Sequence, residues 1–403
     1  MQHITKKSIA MILMCSLSCS SLSVSAAELS APSANSTQDN ESTSSQEVTI
    51  ETSLETPLET SDHTENVQQK TVITNRIVHI SPMPDKLTLA FAGDMNLDEN
   101  WCTTLLLNKQ PNGIYDCISP ELIAEMNRAD IFMPNNEFTY SERGKKLAGK
   151  AWTFRAHPSR VSVMQQLGSD IVLLANNHCY DYGPDSLYDT LDTLQNAQIP
   201  YVGAGRNLSE AVQPYFFQYD GLLIAYVAAS QAEKFKMTPQ ATDTTPGILR
   251  CYDMTLYLEV IRNAAQVADI VIANIHWGTE GSNKAEQYQR DLAHAMIDAG
   301  ADAVVGSHPH VLQGIEYYQG KPIMYSLGNF WFNAITMYTC LYELEIDTAS
   351  KTISGVKFIP ATQTGCRTIY ASAATEQRKI MDFEQKLSFG VTIDDNGYVL
   401  PAQ

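Results

Sequence analysis

From residue 86 onward, short apolar runs alternate along the chain with segments of helical periodicity. The apolar runs are rich in Ile, Val, Leu and Ala, which is typical of strands buried on both faces of a sheet. The predicted strands are residues 87–92, 131–133, 171–175, 222–228, 270–275 and 303–305. The predicted helices between them are residues 120–127, 158–167, 184–196, 254–267 and 283–299. This alternation predicts an α/β fold.

Beyond residue 311 the pattern changes to strands joined by turns, such as the run 321–327 that follows the Gln319-Gly320 turn. After residue 85 no internal repeat and no break in composition divides the chain. We therefore predict one domain over residues 85–370, followed by a terminal helix and strand over residues 371–403.

Polar residues of metal-binding or acid/base type stand where the predicted strands end. Ligands of open α/β sheets bind beyond the carboxyl ends of the strands, so these residues would converge. Taken singly, each has an ordinary explanation as a cap, a turn signal or a packed histidine. Together they predict a metal or acid/base site. The residues are Asp94, Asn96, Asn136, Glu137, Asn176, Asn177, His178, His276, His308 and His310.

His308 and His310 form the strongest local signal, because side chains two apart on an extended chain face the same way and can share a site. Mixed carboxylate, imidazole and amide ligands suit Mn, Fe or Zn. Two such ions about 3.5–4 Å apart can activate a water and clamp a phosphoryl oxygen. A histidine that binds no metal can then protonate the leaving group.

Six motifs, in order along the chain, resemble those of the CapA family, which is linked to poly-γ-glutamate capsule synthesis and lies within the calcineurin-like metallophosphatase superfamily. The resemblance runs from about residue 87 to residue 358, and the conjunction of motifs is specific where no single motif is. The motifs are Gly93-Asp94, Asn136-Glu137, Ala175-Asn176-Asn177-His178, His276-Trp277-Gly278-Thr279-Glu280, Gly306-Ser307-His308-Pro309-His310-Val311 and Tyr325-Ser326-Leu327-Gly328-Asn329-Phe330.

The resemblance implies a four-layer αββα fold, in which two central sheets are flanked by helices, for residues 85–370. It implies that His178 is the general acid. The chain departs from the family pattern at Asn96, where histidine is usual, and at Glu137, where a bridging aspartate is usual. Asn96 is the weaker ligand, whereas a longer glutamate can still bridge. The metal ligands that the resemblance implies are Asp94, Asn96, Glu137, Asn177, His276, His308 and His310.

The amino terminus resembles a secretory signal. Lys6 and Lys7 precede a moderately apolar stretch, and Val24-Ser25-Ala26 is a small-residue cleavage site. We predict a signal peptide over residues 1–26 and a disordered Ser/Thr/Glu-rich linker over residues 27–84. The protein is then secreted or held at the extracellular face of the cell envelope. An uncleaved amino-terminal anchor is the alternative.

Charge narrows the range of partners. The formal net charge of −18 argues against nucleic acid, because binding phosphates needs a surplus of Lys and Arg. One basic cluster runs against this trend, from Arg143 through Lys145, Lys146 and Lys150 to Arg155. It is either a solvated loop or an anion-binding rim. Arg155 is the best single candidate, since a guanidinium can bind phosphate or carboxylate through two hydrogen bonds.

We predict Arg155, Asn136 and Asn176 as substrate-binding residues. The cysteines beyond residue 27 form no CxxC pair, so a structural zinc site is not expected. Cys102 could pair with Cys117, or Cys340 with Cys366, and free thiols are an equal alternative.

Three functions remain open. The first is a CapA-like envelope protein of poly-γ-glutamate capsule biosynthesis, with a dinuclear-metal hydrolase site and membrane-bound polyglutamate synthase subunits as partners. The second is a secreted metallophosphoesterase that acts on another phosphoester or wall polymer. The third is a non-catalytic accessory subunit. The first two need the full ligand set, whereas a scaffold has little physical need for it.

Overall fold

The computed structural model describes residues 76–80, 83–233 and 236–402. The predicted signal peptide and most of the predicted linker therefore lie outside the described residues. In chain order, the strands of the first half are β1 (Ile77–Ile80), β2 (Lys86–Met95), β3 (Ile131–Asn136), β4 (Thr139–Tyr140), β5 (Arg155–Ala156), β6 (Val172–Leu173), β7 (Tyr201–Val202), β8 (Ala204–Gly205), β9 (Tyr215–Tyr219) and β10 (Leu222–Ser230).

The remaining strands include the longest of the described chain. They are β11 (Gly247–Ile248), β12 (Ile270–His276), β13 (Ala303–Ser307), β14 (Leu312–Tyr318), β15 (Lys321–Leu327), β16 (Asn329–Trp331), β17 (Met337–Asp347), β18 (Thr352–Thr364), β19 (Arg367–Tyr370), β20 (Val391–Ile393) and β21 (Val399–Pro401). The helices are α1 (Cys102–Leu107), α2 (Pro120–Arg128), α3 (Val161–Gln166), α4 (Pro184–Asn196), α5 (Leu208–Ala211), α6 (Thr255–Ala265), α7 (Gln287–Asp298) and α8 (Ala374–Leu387).

Two large mixed sheets form the centre of the fold. The order of the seven-stranded sheet is β1-β9-β10-β12-β13-β15-β14, with β10, β12, β13 and β15 parallel. The order of the eight-stranded sheet is β19-β18-β17-β2-β3-β6-β7, with β2, β3, β6 and β7 parallel and β16 paired beside β2. Each parallel block places the carboxyl ends of its strands at one edge.

The strands bury both faces, and alternate residues serve different cores. On β2, Leu89 and Phe91 face the core between the sheets, whereas Ala90 faces a core that includes residues of α2 and α4. On β10, Tyr226 faces the core between the sheets and Val227 faces a core that includes residues of α6 and α7. Each such side chain contributes about 1.5–3 kcal/mol of apolar burial if large. The four-layer αββα prediction is confirmed.

The structure contains the predicted helices, but local contacts shift some of their boundaries. The segment predicted as 283–299 becomes helical only at Gln287, because Glu286 and Gln289 form a reciprocal capping box. The segment predicted as 158–167 is split into a 3-10 turn, Pro158–Arg160, and α3. The carboxyl-terminal segment holds α8 and the antiparallel pair β20–β21, where a helix and one strand were predicted.

The predicted linker extends too far toward the carboxyl terminus. Strand β1 lies inside the range 27–84, where it pairs in parallel with β9 at the edge of the seven-stranded sheet. Its Ile77, Val78 and Ile80 are half-buried, and β-branched residues suit such an edge. Among the described residues, no helix has the length and apolar character needed to cross a membrane.

Candidate metal centre

The carboxyl ends of neighbouring parallel strands bring the predicted residues together. In the eight-stranded sheet, Asp94 near the end of β2 lies opposite Asn135 of β3, and Glu137 follows β3 directly. In the seven-stranded sheet, His276 ends β12 and lies opposite Ser307, the last residue of β13. The two strand pairs thus supply carboxylates from one sheet and imidazoles from the other.

Gly93 allows the backbone beside Asp94 to approach closely. The Asp94 amide donates to the Gly328 carbonyl at 2.9 Å, and a Cβ on Gly93 would lie only 1.8 Å from that oxygen. No larger residue fits there without moving the segment that leads into β16. The glycine therefore positions the first carboxylate of the site.

Glu137 lies at the centre of the cluster and is fully buried. Its Oε1 has no hydrogen-bond partner among the described residues. This oxygen lies 3.6 Å from His276 Nε2, 3.8 Å from His310 Nε2 and 4.0 Å from His178 Nε2. Its Oε2 accepts a hydrogen bond from Asn135 Nδ2 at 3.3 Å. A buried carboxylate oxygen ringed by imidazole nitrogens is suited to a cation.

Two potential ligand groups share Glu137. One joins it to Asp94 and His310, and the other joins it to His276 and His308; within each group, one donor atom from every residue lies within 4.8 Å of the others. Asp94 Oδ2 lies 3.0 Å from His310 Nδ1, and His308 Nδ1 lies 3.1 Å from His276 Nε2. The two groups of potential metal ligands thus have Glu137 in common.

The two carboxylates respond to the cluster in opposite directions. Burial, reinforced by the neighbouring Asp94 charge, raises the pKa of Glu137 well above its usual value. Burial also acts to raise the pKa of Asp94, but its contacts with His310 and Asn135 outweigh burial and hold the pKa below its usual value. Of the two carboxyls, Glu137 is therefore the one whose neutral form burial favours.

The histidines are mostly held neutral. Burial, with repulsion from the other imidazoles, lowers the pKa of His276 well below its usual value and that of His308 to about 3. Burial opposes protonation of His310 too, but Asp94 reverses the direction and raises its pKa. Neutral imidazoles keep a lone pair free for a metal.

These residues fit a divalent metal ion. The donor set combines carboxylate oxygens with imidazole nitrogens, which suits Mn, Fe or Zn and not a soft thiolate-binding ion. A cation beside Glu137 Oε1 would satisfy the orphaned oxygen and favour the ionised carboxylate. A third group, Glu280 with His308 and His310, lies beside these two, and Glu280 is exposed.

The turn that carries His308 and His310 is not extended, contrary to the sequence-based expectation. The φ angles of His308 and His310 are 98° and 59°, both in the left-handed region that non-glycine residues rarely adopt. The two rings remain neighbours, with centroids 6.0 Å apart, but their polar contacts differ: His308 contacts His276, whereas His310 contacts Asp94. Such strain is sustained by surrounding structure and is typical of functional sites.

His178 is oriented by a buried ionic chain. Its Nδ1 lies 2.6 Å from Asp181 Oδ2, which leaves Nε2 on the side of Glu137. Asp181 Oδ1 lies 2.5 Å from Lys150 Nζ, and Lys150 lies 2.7 Å from Glu233 Oε2. Burial lowers the pKa of His178, while Asp181 acts in the opposite direction. Asp181 thus holds the ring in one orientation.

A model of the family described as bacterial capsule synthesis protein PGA_cap matches residues 88–334, more than half of the chain. The chain belongs to this family. It is 35% identical to the PGA biosynthesis protein CapA of Bacillus subtilis, over 62% of this chain and 64% of that protein. It is 32% identical to the capsule biosynthesis protein CapA of Bacillus anthracis, over 62% of this chain and 60% of that protein. The alignments span less than two thirds of either relative.

A more distant relative is a probable polyglutamine synthesis accessory protein of Mycobacterium tuberculosis, 31% identical over 51% of this chain and 57% of that protein. Among solved structures, a novel phosphatase of Mycoplasma pneumoniae resembles the chain with a TM-score of 0.44 and 11% identity, covering 70% of this chain and 96% of that one. A likeness at this level carries no argument about activity.

In this PGA_cap family member, the asparagine side chains of the predicted site form most of their hydrogen bonds with other groups of the protein. Asn177 Oδ1 lies 2.7 Å from His276 Nε2, within the centre. Asn176 donates to Asn135 Oδ1 and to the Asn136 carbonyl, and its own Oδ1 accepts from the His178 amide. These bonds engage both polar atoms of Asn176, which was predicted to bind substrate.

Two further predicted amides are buried and only partly satisfied. Asn136 Nδ2 donates to the Phe138 carbonyl at 2.9 Å, and its Oδ1 has no hydrogen-bond partner among the described residues. Asn96 Oδ1 accepts from the Asp98 amide at 2.8 Å, whereas its Nδ2 has no such partner. The substrate-binding role of Asn136 and the metal-binding role of Asn96 stay predictions.

Sequence reasoning missed three residues of the PGA_cap centre. Asn135 Nδ2 donates to Asp94 Oδ1 at 2.8 Å as well as to Glu137, so it bridges the two carboxylates. Ser307 Oγ lies 2.8 Å from His276 Nδ1 and sets the orientation of that ring. Asp181 orients His178. Ser307 lies within a quoted motif and Asn135 directly precedes one, and these positions were the available signal.

Arg155 lies on β5 and lines a 250 Å³ cavity with Glu99, Glu142 and Tyr182. Its guanidinium carbon lies 4.0 Å from the centre of the Tyr182 ring, and its Nη1 donates to the Arg143 carbonyl at 3.1 Å. The three carboxylates that line this cavity, those of Asp98, Glu99 and Glu142, therefore outnumber its one arginine.

The rest of the basic cluster is partly neutralised. Arg143 Nη2 lies 2.5 Å from Asp189 Oδ1, and Lys150 is buried against Asp181 and Glu233. Lys145 and Lys146 are exposed. Arg155 thus remains the best candidate of the cluster for contact with an anion, and that role stays a prediction.

Proposed function

We propose that the protein acts in poly-γ-glutamate capsule synthesis at the outer face of the cell, through a hydrolase site built on two divalent metal ions. Membership of the PGA_cap family supports the process, as do the names of the two Bacillus relatives. The buried carboxylate of Glu137, with an orphaned oxygen facing three imidazoles, is the observation that carries the metal site.

In this proposal Glu137 would serve as a ligand in both of two metal-binding groups. Asp94 and His310 complete one ligand group, and His276 and His308 complete the other, with Asn177 beside His276. When bound, two such ions supply an activated water and neutralise charge on a phosphoryl oxygen. Mn, Fe and Zn all suit these donors.

The remaining chemistry falls to His178. With Nδ1 held by Asp181, a proton on its Nε2 points toward the centre, where it can pass to the oxygen of a leaving group. The ring also packs against Phe154, with centroids 4.4 Å apart, which limits its motion. His178 is therefore the proposed general acid and not a metal ligand.

The proposed substrate is anionic, either a phosphoester or the polymer itself. Arg155 is the candidate residue for its charge. Membrane-bound polyglutamate synthase subunits are the proposed partners. The name of the Mycobacterium relative, a probable polyglutamine synthesis accessory protein, supports this proposal. The net charge of −18 argues against nucleic acid.

The proposed location is the cell envelope. Lys6, Lys7 and the apolar stretch that follows them support export, with cleavage before Ala27. Retention by an uncleaved anchor would leave the domain on the same side of the membrane.

Metal analysis of the full chain with paired phosphoesterase assays tests the site. After loading with Mn, Fe or Zn and desalting, we expect about two ions per chain and hydrolysis of p-nitrophenyl phosphate or its diester. Glu137→Gln should lose both metal and activity. His178→Ala should keep metal but lose about 10²–10⁴ in rate. Glu384→Gln, a buried carboxyl away from the centre, is the matched control.

The outcomes separate the candidate functions. Wild-type protein that binds no metal and hydrolyses neither ester contradicts the hydrolase site. Complementation of a Bacillus subtilis strain lacking its CapA tests the process. If wild type and His178→Ala both restore polymer, the protein is an accessory without catalysis. If neither restores polymer although both fold, poly-γ-glutamate is the wrong process.

A further inference from the structure

We propose that Cys102 and Cys366 form a reversible disulfide bond that ties α1 to the turn between β18 and β19. Neither of the pairings that spacing suggested, Cys102 with Cys117 or Cys340 with Cys366, is the one that the fold brings together. The inference does not depend on the proposed function, since neither cysteine belongs to the potential metal-ligand groups.

A shared support places the two cysteines together, although 264 positions separate them in the sequence. Cys102 is the first residue of α1, and the Ala334 amide acts to lower the pKa of its thiol. The Ala334 carbonyl accepts from the Gly365 amide at 3.0 Å, one residue before Cys366. Both cysteines thus lie beside the same short segment, residues 331–334, and each thiol shifts the pKa of the other.

Further bonds hold the two sides of this contact. Trp101 Nε1 donates to the Phe332 carbonyl at 2.5 Å, which anchors the start of α1. On the other side, Trp331 Nε1 donates to the Cys366 carbonyl at 2.8 Å. The φ of Cys366 is 63°, so the turn that presents its thiol is held in the left-handed region. The pair is preorganised by the fold and not by sequence proximity.

The two thiols differ in acidity in the way that a dithiol pair requires. The contact with the Cys366 thiol lowers the pKa of Cys102 to about 7, and nearby backbone amides contribute smaller effects in the same direction. The same contact, with burial, raises the pKa of Cys366 above its usual value. Cys102 is half-buried, whereas the other cysteines of the described residues are buried. Cys102 is therefore the accessible thiolate.

The competing partners are poorly suited to exchange. Burial raises the pKa of Cys117 to about 11, so it holds its proton at neutral pH. Cys340 lies in the core between the two sheets, where burial raises its pKa well above the usual value. Neither presents a thiolate to an oxidant.

The bond forms by exchange with a low-molecular-weight disulfide, such as oxidised glutathione. The Cys102 thiolate attacks one sulfur of that disulfide, releases one thiolate and forms a mixed disulfide. Cys366 then loses its proton to the released thiolate, attacks the Cys102 sulfur and displaces the second thiolate. Two protein thiols are oxidised, and one small disulfide is reduced to two thiols.

The bond would brace one side of the metal centre. Trp101, beside Cys102, packs against Phe154, and Phe154 packs against His178. Phe332, which accepts from Trp101, packs against His310 with centroids 4.6 Å apart. Oxidation therefore constrains segments that contact both histidines.

Tryptic mapping of the full chain after equilibration with oxidised or reduced glutathione tests the pairing. Cleavage after Lys and Arg leaves Cys102, Cys117 and Cys366 in three separate peptides, 87–109, 110–128 and 358–367. We expect the first and third joined in the oxidised sample and separate after reduction. Failure to join them at any glutathione ratio, or joining of the first and second, overturns the proposal.

Thermal unfolding gives an independent measurement. Oxidised glutathione should raise the Tm of the wild type by about 5 °C. Cys102→Ser and Cys366→Ser should each abolish that rise, and Cys117→Ser, the matched control, should keep it. A rise that survives Cys102→Ser, or that disappears in Cys117→Ser, also overturns the proposal. If Cys366→Ser does not fold, the Cys102→Ser comparison and the peptide map still decide.

Discussion

Asp181 lies three residues beyond His178, where no motif of the sequence marks it, yet it is the group that orients the proposed general acid. Its Oδ2 accepts a hydrogen bond from the Phe154 amide and lies within hydrogen-bond distance of His178 Nδ1. Its Oδ1 forms an ion pair with Lys150 Nζ. A buried carboxylate with this many partners is costly to remove. Its principal effect on chemistry is to select the imidazole orientation that leaves Nε2 toward Glu137.

Asp181→Asn tests this role. We expect a fall in phosphoesterase rate of about 10- to 100-fold with the metal content unchanged, since Asp181 supports His178 and not the ions. The rate, its pH profile and the bound metal would be measured together. Asp170→Asn is the control, because Asp170 also caps a buried backbone amide, that of Phe132, on a different strand. An equal loss in both variants contradicts a positioning role.

At this scale, residue types were predictable and partners were not. Asp94, Glu137, His276, His308 and His310 were identified because they follow apolar runs, and all five fall in the ligand groups. Their partners lie far along the chain: Glu137 and His310 are 173 positions apart. The packing of the two sheets determines which donor atoms come into contact, and the sequence pattern does not predict that packing.

Helix α8 carries a buried carboxyl that the metal centre does not use. Glu384 is fully buried, and its Oε1 accepts from the Tyr342 hydroxyl at 2.7 Å, while Oε2 has no hydrogen-bond partner among the described residues. Burial raises its pKa to about 8. The carboxyl is therefore protonated in the folded chain at neutral pH, whereas in the unfolded chain it is ionised.

Stability should consequently fall as pH rises between the unfolded and folded pKa of Glu384. In that pH window the folded state holds one proton more than the unfolded state. The free energy of unfolding therefore falls by about 1.4 kcal/mol for each unit that the pH rises. Glu384→Gln keeps an acceptor for Tyr342 but cannot ionise. Its advantage over the wild type should be largest near pH 8 and shrink toward pH 5.

Urea unfolding from pH 5 to pH 8.5 measures that difference. Glu376→Gln, on an exposed position of the same helix, should unfold with the pH dependence of the wild type. If Glu384→Gln also follows the wild type at every pH, the carboxyl is not held protonated by the fold.

Hydrophobic periodicity predicted the helices and strands well where a long apolar face determines their extent. It predicted them poorly where local side-chain contacts determine where an element begins or turns. The helix at 184–196 was predicted to the residue, since Pro184 begins it and Leu187, Leu191 and Leu194 form its buried face. The capping box that delays α7 and the left-handed turn at His308 and His310 depend on side-chain contacts, so an average pattern does not show them.

At the scale of the whole molecule, the boundary of the folded body is testable. Strand β1 pairs with β9, and the Arg76 guanidinium lies over the rings of Tyr201 and Tyr215. The linker up to Lys70 was predicted to be disordered. Trypsin at low concentration should therefore cut after Lys70 and spare Arg76.

Mass spectrometry of the resistant fragment reads this directly. We expect a fragment that begins at Thr71. Comparison of chains 71–403 and 81–403 by thermal unfolding is the matched measurement, and loss of β1 should lower the Tm of the shorter one. A resistant fragment that begins at residue 77 or later would show that the fold does not protect Arg76, contrary to this prediction.

The sequence by itself determined the α/β class, the four layers implied by its family motifs and the residue types at the strand ends, because these follow from local apolar periodicity and from motifs of a few residues. Only the tertiary structure decided that Glu137 stands between two ligand groups, that Asn135 joins both carboxylates, and that Cys102 meets Cys366. Those contacts join atoms far apart in the chain, and their geometry is set by the packing of two sheets, which no local pattern encodes.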